Sequence, residues 1–396
     1  MLFRSWSALL SSPWRVHLDG ESSQVSVLRE ALCRRTRAVR FAWQPHQPWL
    51  APSQPEALPQ PAGFGDDEAL IDWDERAHPA YRLLAEYFGF PDKFNFVDLP
   101  AIGSPQGTPF ADWRSDGVAH GGASSASDAG SAVGTVPDAE PAQLICHLLM
   151  AGLRADSDEA RLLETVNAAN IVLGAVPVIN LFPHAADPIR VTHRQAAYPV
   201  VVDGRRAHGH EVHSLLRVHR VRQTPHGDAI DEVRPFFSLQ HDELLDEIEA
   251  RSDDAATSRC LAYWQMHRDE DLAERSPGHE VSISFVDASQ NPMTPAVETL
   301  SLDVMATNRD LPHLLAPGTV GGDLFMEGGG PARSITLLRK PTRSHRIERG
   351  KGMLWRLVSQ LSLNHLSLTG GGIDALRELL RLYDLPHSAS NRRQID

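Results

Sequence analysis

Between Gly103 and Pro141 the chain turns into a run dominated by Gly, Ser, Ala, Pro and Asp, with His120-Gly121-Gly122-Ala123-Ser124-Ser125-Ala126-Ser127-Asp128-Ala129-Gly130 at its centre. Such a stretch has too little bulky apolar surface to offset its own ordering entropy, so it cannot build a core. Whatever folds must come from the hydrophobic blocks on either side. The run itself is expected to be a flexible surface insertion, with a tether as the sharper alternative. The expected organisation follows: 1–102 as a partial β-rich middle domain, 103–141 as the insertion, 142–182 as the remainder of the middle domain, and 183–396 as a C-terminal α+β domain.

The first block reads strand, helix, strand over 14–43. Trp14 to Gly20 alternates and ends in a turn signal, and Val25, Val27, Leu28, Ala31 and Leu32 follow a helical spacing. Six prolines between 45 and 61 mark an extended or looped segment. Ala80–Phe88 reads as a short amphipathic helix stopped at Phe90-Pro91, and Phe94, Phe96 and Val97 as a buried strand. The aromatic cluster Tyr81, Tyr87, Phe88, Phe90, Phe94 and Phe96 is expected in the core, since aromatics bury large areas.

Beyond the insertion, residues 188–222 look β-rich and Asp242–Ile248 helical. Val281–Phe285 and Leu300–Val304 alternate cleanly and are expected to be neighbouring strands with one wet face. A strand from Ser334 to Thr342, a helix over Leu354–Leu368 and a final helix follow; Leu376, Leu379, Leu380 and Tyr383 form the final helix's apolar stripe. The fold class is therefore α+β: a β-rich, multi-domain chain with short helices and a C-terminal helical pair.

Composition excludes several function classes. The formal charge of −13 argues against sequence-independent nucleic-acid binding, which needs a basic footprint. No stretch approaches the roughly 18 apolar residues of a membrane span, so no direct membrane insertion is expected. The first ten residues faintly mimic a signal peptide, but Ser5, Ser7, Ser11, Ser12 and Pro13 break the apolar run. Cys33, Cys146 and Cys260 are odd in number and far apart, which suggests neither a disulfide framework nor a zinc pair and fits a reducing compartment. Only Lys93, Lys340 and Lys351 are lysines; nearly every cation is arginine.

Chemistry-bearing patterns are sparse. His208-Gly209-His210-Glu211-Val212-His213 is similar to the HxHxDH signature of metallo-β-lactamase-like hydrolases, but the aspartate is missing, and zinc hydrolases need further ligands and an open position. A metal-dependent hydrolase centred on His208, His210 and His213 is the alternative reading. Gly328–Gly330 and Gly370–Gly372 are not followed by the Lys-Ser/Thr of a phosphate loop, and there is no GxSxG elbow. No catalytic residue, cofactor site or metal site is assigned, and the chain is not expected to be an enzyme.

One segment departs from the acidic background. Arg333, Arg339, Lys340, Arg343, Arg346, Arg349 and Lys351 are opposed only by Glu348. This basic patch, with Arg377 and Arg381 of the final helix, forms the candidate interface; a solvated face or a generic adaptor's docking site are the other readings.

Ordered short segments across the chain resemble the TssF (VasA, ImpG) family of type VI secretion baseplate subunits. They are Leu18-Asp19-Gly20, Gly63-Phe64-Gly65-Asp66-Asp67-Glu68-Ala69-Leu70, Tyr81 to Phe94, Pro177-Val178-Ile179-Asn180-Leu181-Phe182, Asp187-Pro188-Ile189-Arg190, His193-Arg194-Gln195, Tyr198-Pro199-Val200-Val201, Thr307-Asn308-Arg309-Asp310-Leu311-Pro312 and the two terminal helices. Against the family pattern residue 1 falls inside a middle domain, so the chain looks like a member lacking the N-terminal region. The resemblance implies a structural wedge subunit, cytoplasmic and docked at the inner-membrane complex. Its implied partners are TssG, a second TssF copy, TssE, TssK and the VgrG hub, with no cofactor.

Overall fold

The computed structural model describes residues 12–42, 57–73, 78–101, 145–192, 194–224, 227–236, 263–286, 298–330, 332–344, 372–384 and 389–395, with isolated positions at 352, 355 and 358. The 103–141 insertion, the Asp242–Ile248 helix and nearly all of the 354–368 run lie outside the described residues. The chain divides into two compact units, 1–178 with 365–396, and 179–364. The helix Gly372–Tyr383 is grouped with the first unit, while the sequence reading places it in a 183–396 domain.

In the first unit, β1 (Trp14–Leu18) leads into helix α1 (Ser22–Glu30), whose continuation Ala31–Arg35 widens into a π-helical turn before β2 (Thr36–Ala42). Strands β3 (Gln60–Pro61) and β4 (Phe96–Leu99) flank helix α2 (Pro79–Gly89) in sequence; β5 (Ile145–Met150), α3 (Asp158–Glu164) and β6 (Ile171–Leu173) follow. A four-stranded sheet runs β3-β4-β1-β6, and β2 and β5 form a separate antiparallel ribbon. Val16, Leu18 and Val97 of the sheet pack with Val25, Leu28 and Leu32, so the helical spacing read from sequence is the face that α1 buries. Of the aromatic cluster, Phe88, Phe94 and Phe96 are fully buried and Tyr81, Tyr87 and Phe90 half-buried.

Helix α2 has an unusual buried face. His78 caps its start through Nδ1, which accepts from the Ala80 amide at 3.2 Å, and Pro79 suits the first turn. Its most buried residues are Arg82, Glu86 and Phe88. Glu86 Oε1 accepts from the Leu70 and Ile71 amides at 2.8 and 3.2 Å, while Oε2 takes the Lys93 ammonium and lies 3.5 Å from Arg82 Nη1. Arg82 Nη2 reaches Asp66 at 2.8 Å. Nearby, Glu68 Oε2 accepts from the Gly63 and Gly65 amides, and Glu68 Oε1 meets Arg15 at 2.5 Å. Gly63 has φ +96°, and a Cβ there would sit 2.6 Å from the Lys93 carbonyl, so only glycine fits. The Gly63–Leu70 and Tyr81–Phe94 segments are therefore one charge network that pins a loop to a helix.

The second unit is built on an eight-stranded sheet in the order β7-β14-β10-β11-β12-β13-β9, with β8 also on β14. Its strands are β7 (Phe182–Ala185), β8 (Ile189–Val191), β9 (Tyr198–Pro199), β10 (Glu211–Thr224), β11 (Gly227–Pro235), β12 (Tyr263–Arg268), β13 (Val281–Val286) and β14 (Glu298–Thr307). Every pairing is antiparallel except β11 with β12. Two register shifts against β14 place Val212, Leu215 and Val218 of β10 on the same buried side, three residues apart, because each bulge inserts one residue into the two-residue period. With Leu300, Leu302, Val304 and Ala306 of β14 and Ile283 of β13 they form the core.

Two expectations are corrected here. The Val281–Phe285 and Leu300–Val304 strands share a sheet but are not neighbours: β14 has both edges occupied, by β10 on one side and β7 and β8 on the other, and β13 lies between β12 and β9. Nor does Ser334–Thr342 form a strand. Ile335 makes only an isolated bridge to Leu324, and the Leu337 amide donates to the Asp323 side chain rather than to a strand.

Candidate assembly interface

After β14 the chain leaves the sheet as an irregular arm, 308–344. Its root is tied down by the Thr307–Pro312 motif. The Asn308 amide donates to Asn180 Oδ1 at 3.0 Å, Asn180 Nδ2 donates to the Arg309 carbonyl at 3.2 Å, and Arg309 Nη1 reaches the His208 carbonyl at 3.3 Å. Two motifs 128 residues apart in sequence thus meet through one asparagine side chain. The arm's two ends are clasped where the Ser344 amide donates to Asp310 Oδ1 (2.8 Å) and where His313 Nδ1 meets the Pro341 carbonyl (2.9 Å).

Farther out, Asp323 organises the tip. Its Oδ1 accepts from the Thr319 amide and its Oδ2 from the Leu337 amide, each at 2.7 Å, while its own amide donates to the Ile335 carbonyl. These amide donors hold the Asp323 carboxyl below the ordinary range. Gly322, at φ +122°, lets the Ile335 backbone approach to where a Cβ would meet it at 3.1 Å. Asp323→Ala should leave the sheet intact but free the tip: amide hydrogen exchange at Leu337 and Thr319 is expected to speed up while β10 and β14 stay protected. Unchanged exchange at Leu337 would count against this bracing role.

What the arm displays is apolar. Val320 is 101% exposed, Phe325 84% and Leu314 76%, with Leu311, Met326 and Leu338 about half exposed. Exposed apolar side chains of this size on one braced segment make the arm a candidate interaction surface. Sequence reasoning singled out only the basic residues of this segment, as a candidate interface. Arg333, Arg339, Lys340 and Arg343 are all exposed on this arm; Arg346, Arg349 and Lys351 lie outside the described residues. Arg377 and Arg381 belong to the other unit, on the helix Gly372–Tyr383. There Arg377 is half-buried 3.4 Å from Asp374, and Arg381 is exposed 3.9 Å from Glu378. Those two pairs are i, i+3 contacts within one helix, worth little in stability when solvated.

The histidines do not converge. His208 is exposed with its ring 5.5 Å from His279, His210 stacks toward His184 at 5.7 Å, and His213 turns to Ser214. Among the described residues no three His, Cys, Asp or Glu side chains gather where a metal ion could be held. His208, His210 and His213 are thus not brought together as one ligand set.

Comparison with known proteins matches the same segments. The family described as "Type VI secretion system, TssF" matches residues 3–115 and 135–396. The type VI secretion system component TssF1 of Pseudomonas aeruginosa is 30% identical over 381 residues, covering 93% of this chain and 53% of the relative; the chain spans about half the length of that protein. A chain in the cryo-electron microscopy structure of the type VI secretion system TssK-TssF-TssG baseplate subcomplex shares the fold, with a TM-score of 0.63 at 22% identity, over 99% of this chain and 61% of that one. The network around Glu86, the Asn180–Asn308 clasp and the arm are thus features of a chain that belongs to the TssF family of type VI secretion system proteins.

Proposed function

We propose that this chain is a structural, non-enzymatic subunit of the type VI secretion baseplate wedge. In this reading it assembles with TssG, a second TssF copy and TssE around the VgrG spike hub, and TssK links the wedge to the membrane complex. The observation that carries it is the family match across both units, supported by the likeness to a chain solved with TssK and TssG. The work of such a subunit is mechanical: braced β-rich units hold surfaces in register and transmit rearrangement. A cytoplasmic position at a baseplate docked to the inner membrane fits the absence, among the described residues, of any helix long and apolar enough to cross a membrane.

Co-expression with the cognate TssG, followed by size-exclusion with light scattering, tests the reading. A complex with two copies of this chain per TssG is the expected result. A chain that elutes apart from a TssG which binds full-length TssF under the same conditions would overturn it.

A further inference from the structure

We propose that the arm is hinged at its root and that Arg309 is the latch that holds it in one of two positions, seated against the sheet or released from it. The hinge requires no partner, so it stands or falls apart from the assembly reading. The hydrogen bonds that brace the arm join arm residues to one another: Ser344 to Asp310, His313 to Pro341, and Thr319, Leu337 and Ile335 around Asp323. Asn308 and Arg309 supply the ties to the sheet. Asn308 donates from its amide to Asn180 and from its side chain to the Gly209 carbonyl at 3.5 Å. Arg309 accepts from Asn180 at its carbonyl and donates from Nη1 to the His208 carbonyl. The β14 ladder ends at Thr307, opposite Glu211, so a turn of the chain at 308–309 breaks no rung of the sheet. A braced segment that leaves a sheet through two such residues has the geometry of a hinge.

Arg309 carries the strain that makes the seated position reversible. Its φ is +55°, and among the described residues it is the one non-glycine at positive φ. That conformation is costly for any residue with a Cβ and persists only where its surroundings hold it. Here the guanidinium does the holding. Besides its bond to His208, it lies so close to Gly278 that a Cβ there would come within 2.8 Å of Cζ. The seat is itself fixed to the sheet. Glu280, 3% exposed, accepts from the Gly278 amide at 2.5 Å and pairs with Arg268, which donates to the Val212 and His213 carbonyls of β10. The strain thus lies in the root and the seat in the sheet, and the backbone relaxes when the guanidinium leaves. Anything that holds the released arm more tightly than the seated one shifts this equilibrium.

Amide hydrogen exchange on the full chain reads the latch. Arg309→Ala removes the guanidinium but leaves a Cβ in the strained conformation, so exchange at Asn308 should rise about tenfold. Thr319 and Leu337, bonded within the arm, should rise far less, and β14 should stay protected. Arg309→Gly also removes the guanidinium but relieves the strain, so its rise at Asn308 should be smaller than that of Arg309→Ala. This order separates a latch from an ordinary packing residue, for which the more flexible glycine would open the root further. A second readout follows the arm itself. Nitroxides at Val320→Cys and Ile230→Cys, both exposed, are placed in a chain whose Cys33, Cys146 and Cys260 are replaced by alanine. Electron–electron resonance should show the 230–320 distances gain a second population in Arg309→Ala.

Unchanged exchange at Asn308 in both variants overturns the latch, and so does faster exchange in Arg309→Gly than in Arg309→Ala. Faster exchange with an unaltered 230–320 distance overturns the hinge, since the root would then loosen without moving the arm. If the cysteine-free chain fails to fold, the order of exchange rates, which needs no labels, decides alone. None of these outcomes touches the TssG experiment, and loss of TssG binding by the unmodified chain leaves the hinge standing.

Discussion

Glu86→Gln is expected to destabilise the first unit by about 3–5 kcal/mol, the range for leaving one member of a buried ion pair uncompensated. Glu86 is 2% exposed, Lys93 1% and Arg82 3%. The amide oxygen can still accept from both the Leu70 and Ile71 amides, but the group cannot neutralise the Lys93 ammonium, and its NH2 would meet that donor with another donor. Chemical denaturation should show a lowered midpoint, and the loss should register in β1, β4 and α2 by hydrogen exchange. Lys93→Met should cost less, because the carboxylate keeps two amides and Arg82. An unchanged midpoint in Glu86→Gln would mean that the network is hydrated rather than buried.

The same network sets an acid limit. Burial pushes the Glu86 carboxyl up, but the hydrogen bonds from Lys93, Leu70 and Ile71 outweigh it and hold the folded value below the ordinary 4.5. Glu68 shifts the same way: burial opposes, and the Gly65 and Gly63 amides and Arg15 prevail. A carboxyl depressed in the folded state stabilises fully above its unfolded value, and that contribution is lost as pH falls through the folded one. The first unit should therefore weaken on acidification below about pH 4.5, and Glu86→Gln should weaken less steeply because its share is already absent.

Helix α2 shows where the sequence stops being legible. Its existence and its stop at Phe90-Pro91 follow from local signals, and the structure extends the expected Ala80–Phe88 by one residue at each end, to Pro79–Gly89. Its buried face does not follow. Arg82 and Glu86 look solvent-facing by type, and the groups that compensate them, Asp66, Lys93 and the Leu70 and Ile71 amides, sit in other segments. One clue was present: lysine occurs three times in 396 residues, and one of those three is placed in this core.

Strand β10 hides its buried face for a different reason. Val212, Leu215 and Val218 break the two-residue alternation, and the bulges that restore their common side are a property of the pairing with β14. Alternation in Val281–Phe285 and Leu300–Val304 reports a dry face but says nothing of which strand lies alongside, hence the wrong neighbour. In the arm, the cations were visible because they stand out against an acidic chain. The exposed apolar residues were not, since Phe325 and Val320 carry no periodicity that separates an exposed side chain from a buried one. The signal that could have exposed them is their setting among Pro317, Gly318, Gly321, Gly322 and Gly328 to Gly330, where few regular elements could bury them.

In the second unit the most damaging single truncation should be Leu302→Ala, at about 2–5 kcal/mol for a buried leucine reduced to a methyl. Leu302 is fully buried at the centre of β14, opposite Val218 of β10, and its carbonyl accepts from the Ala186 amide. The backbone bond survives the substitution, so the cost is lost burial plus whatever cavity the neighbours cannot close. Val218, Val304 and Ile283 stand in sheet positions fixed by hydrogen bonds, which limits their collapse into the gap. Ser301, the preceding residue and exposed, is the internal control: Ser301→Ala should stay within about 0.5 kcal/mol. Hydrogen exchange should locate the Leu302→Ala loss in β7, β10 and β14. The arm springs directly from β14, so amide exchange at Thr319 and Leu337 should also speed up in the Leu302→Ala chain as the sheet opens, whereas Ser301→Ala should leave it unchanged. A Leu302→Ala chain with full stability and an ordinary denaturation midpoint would show that β14 is not the centre of this core, and with it the view that the sheet is what holds the arm in place would fall.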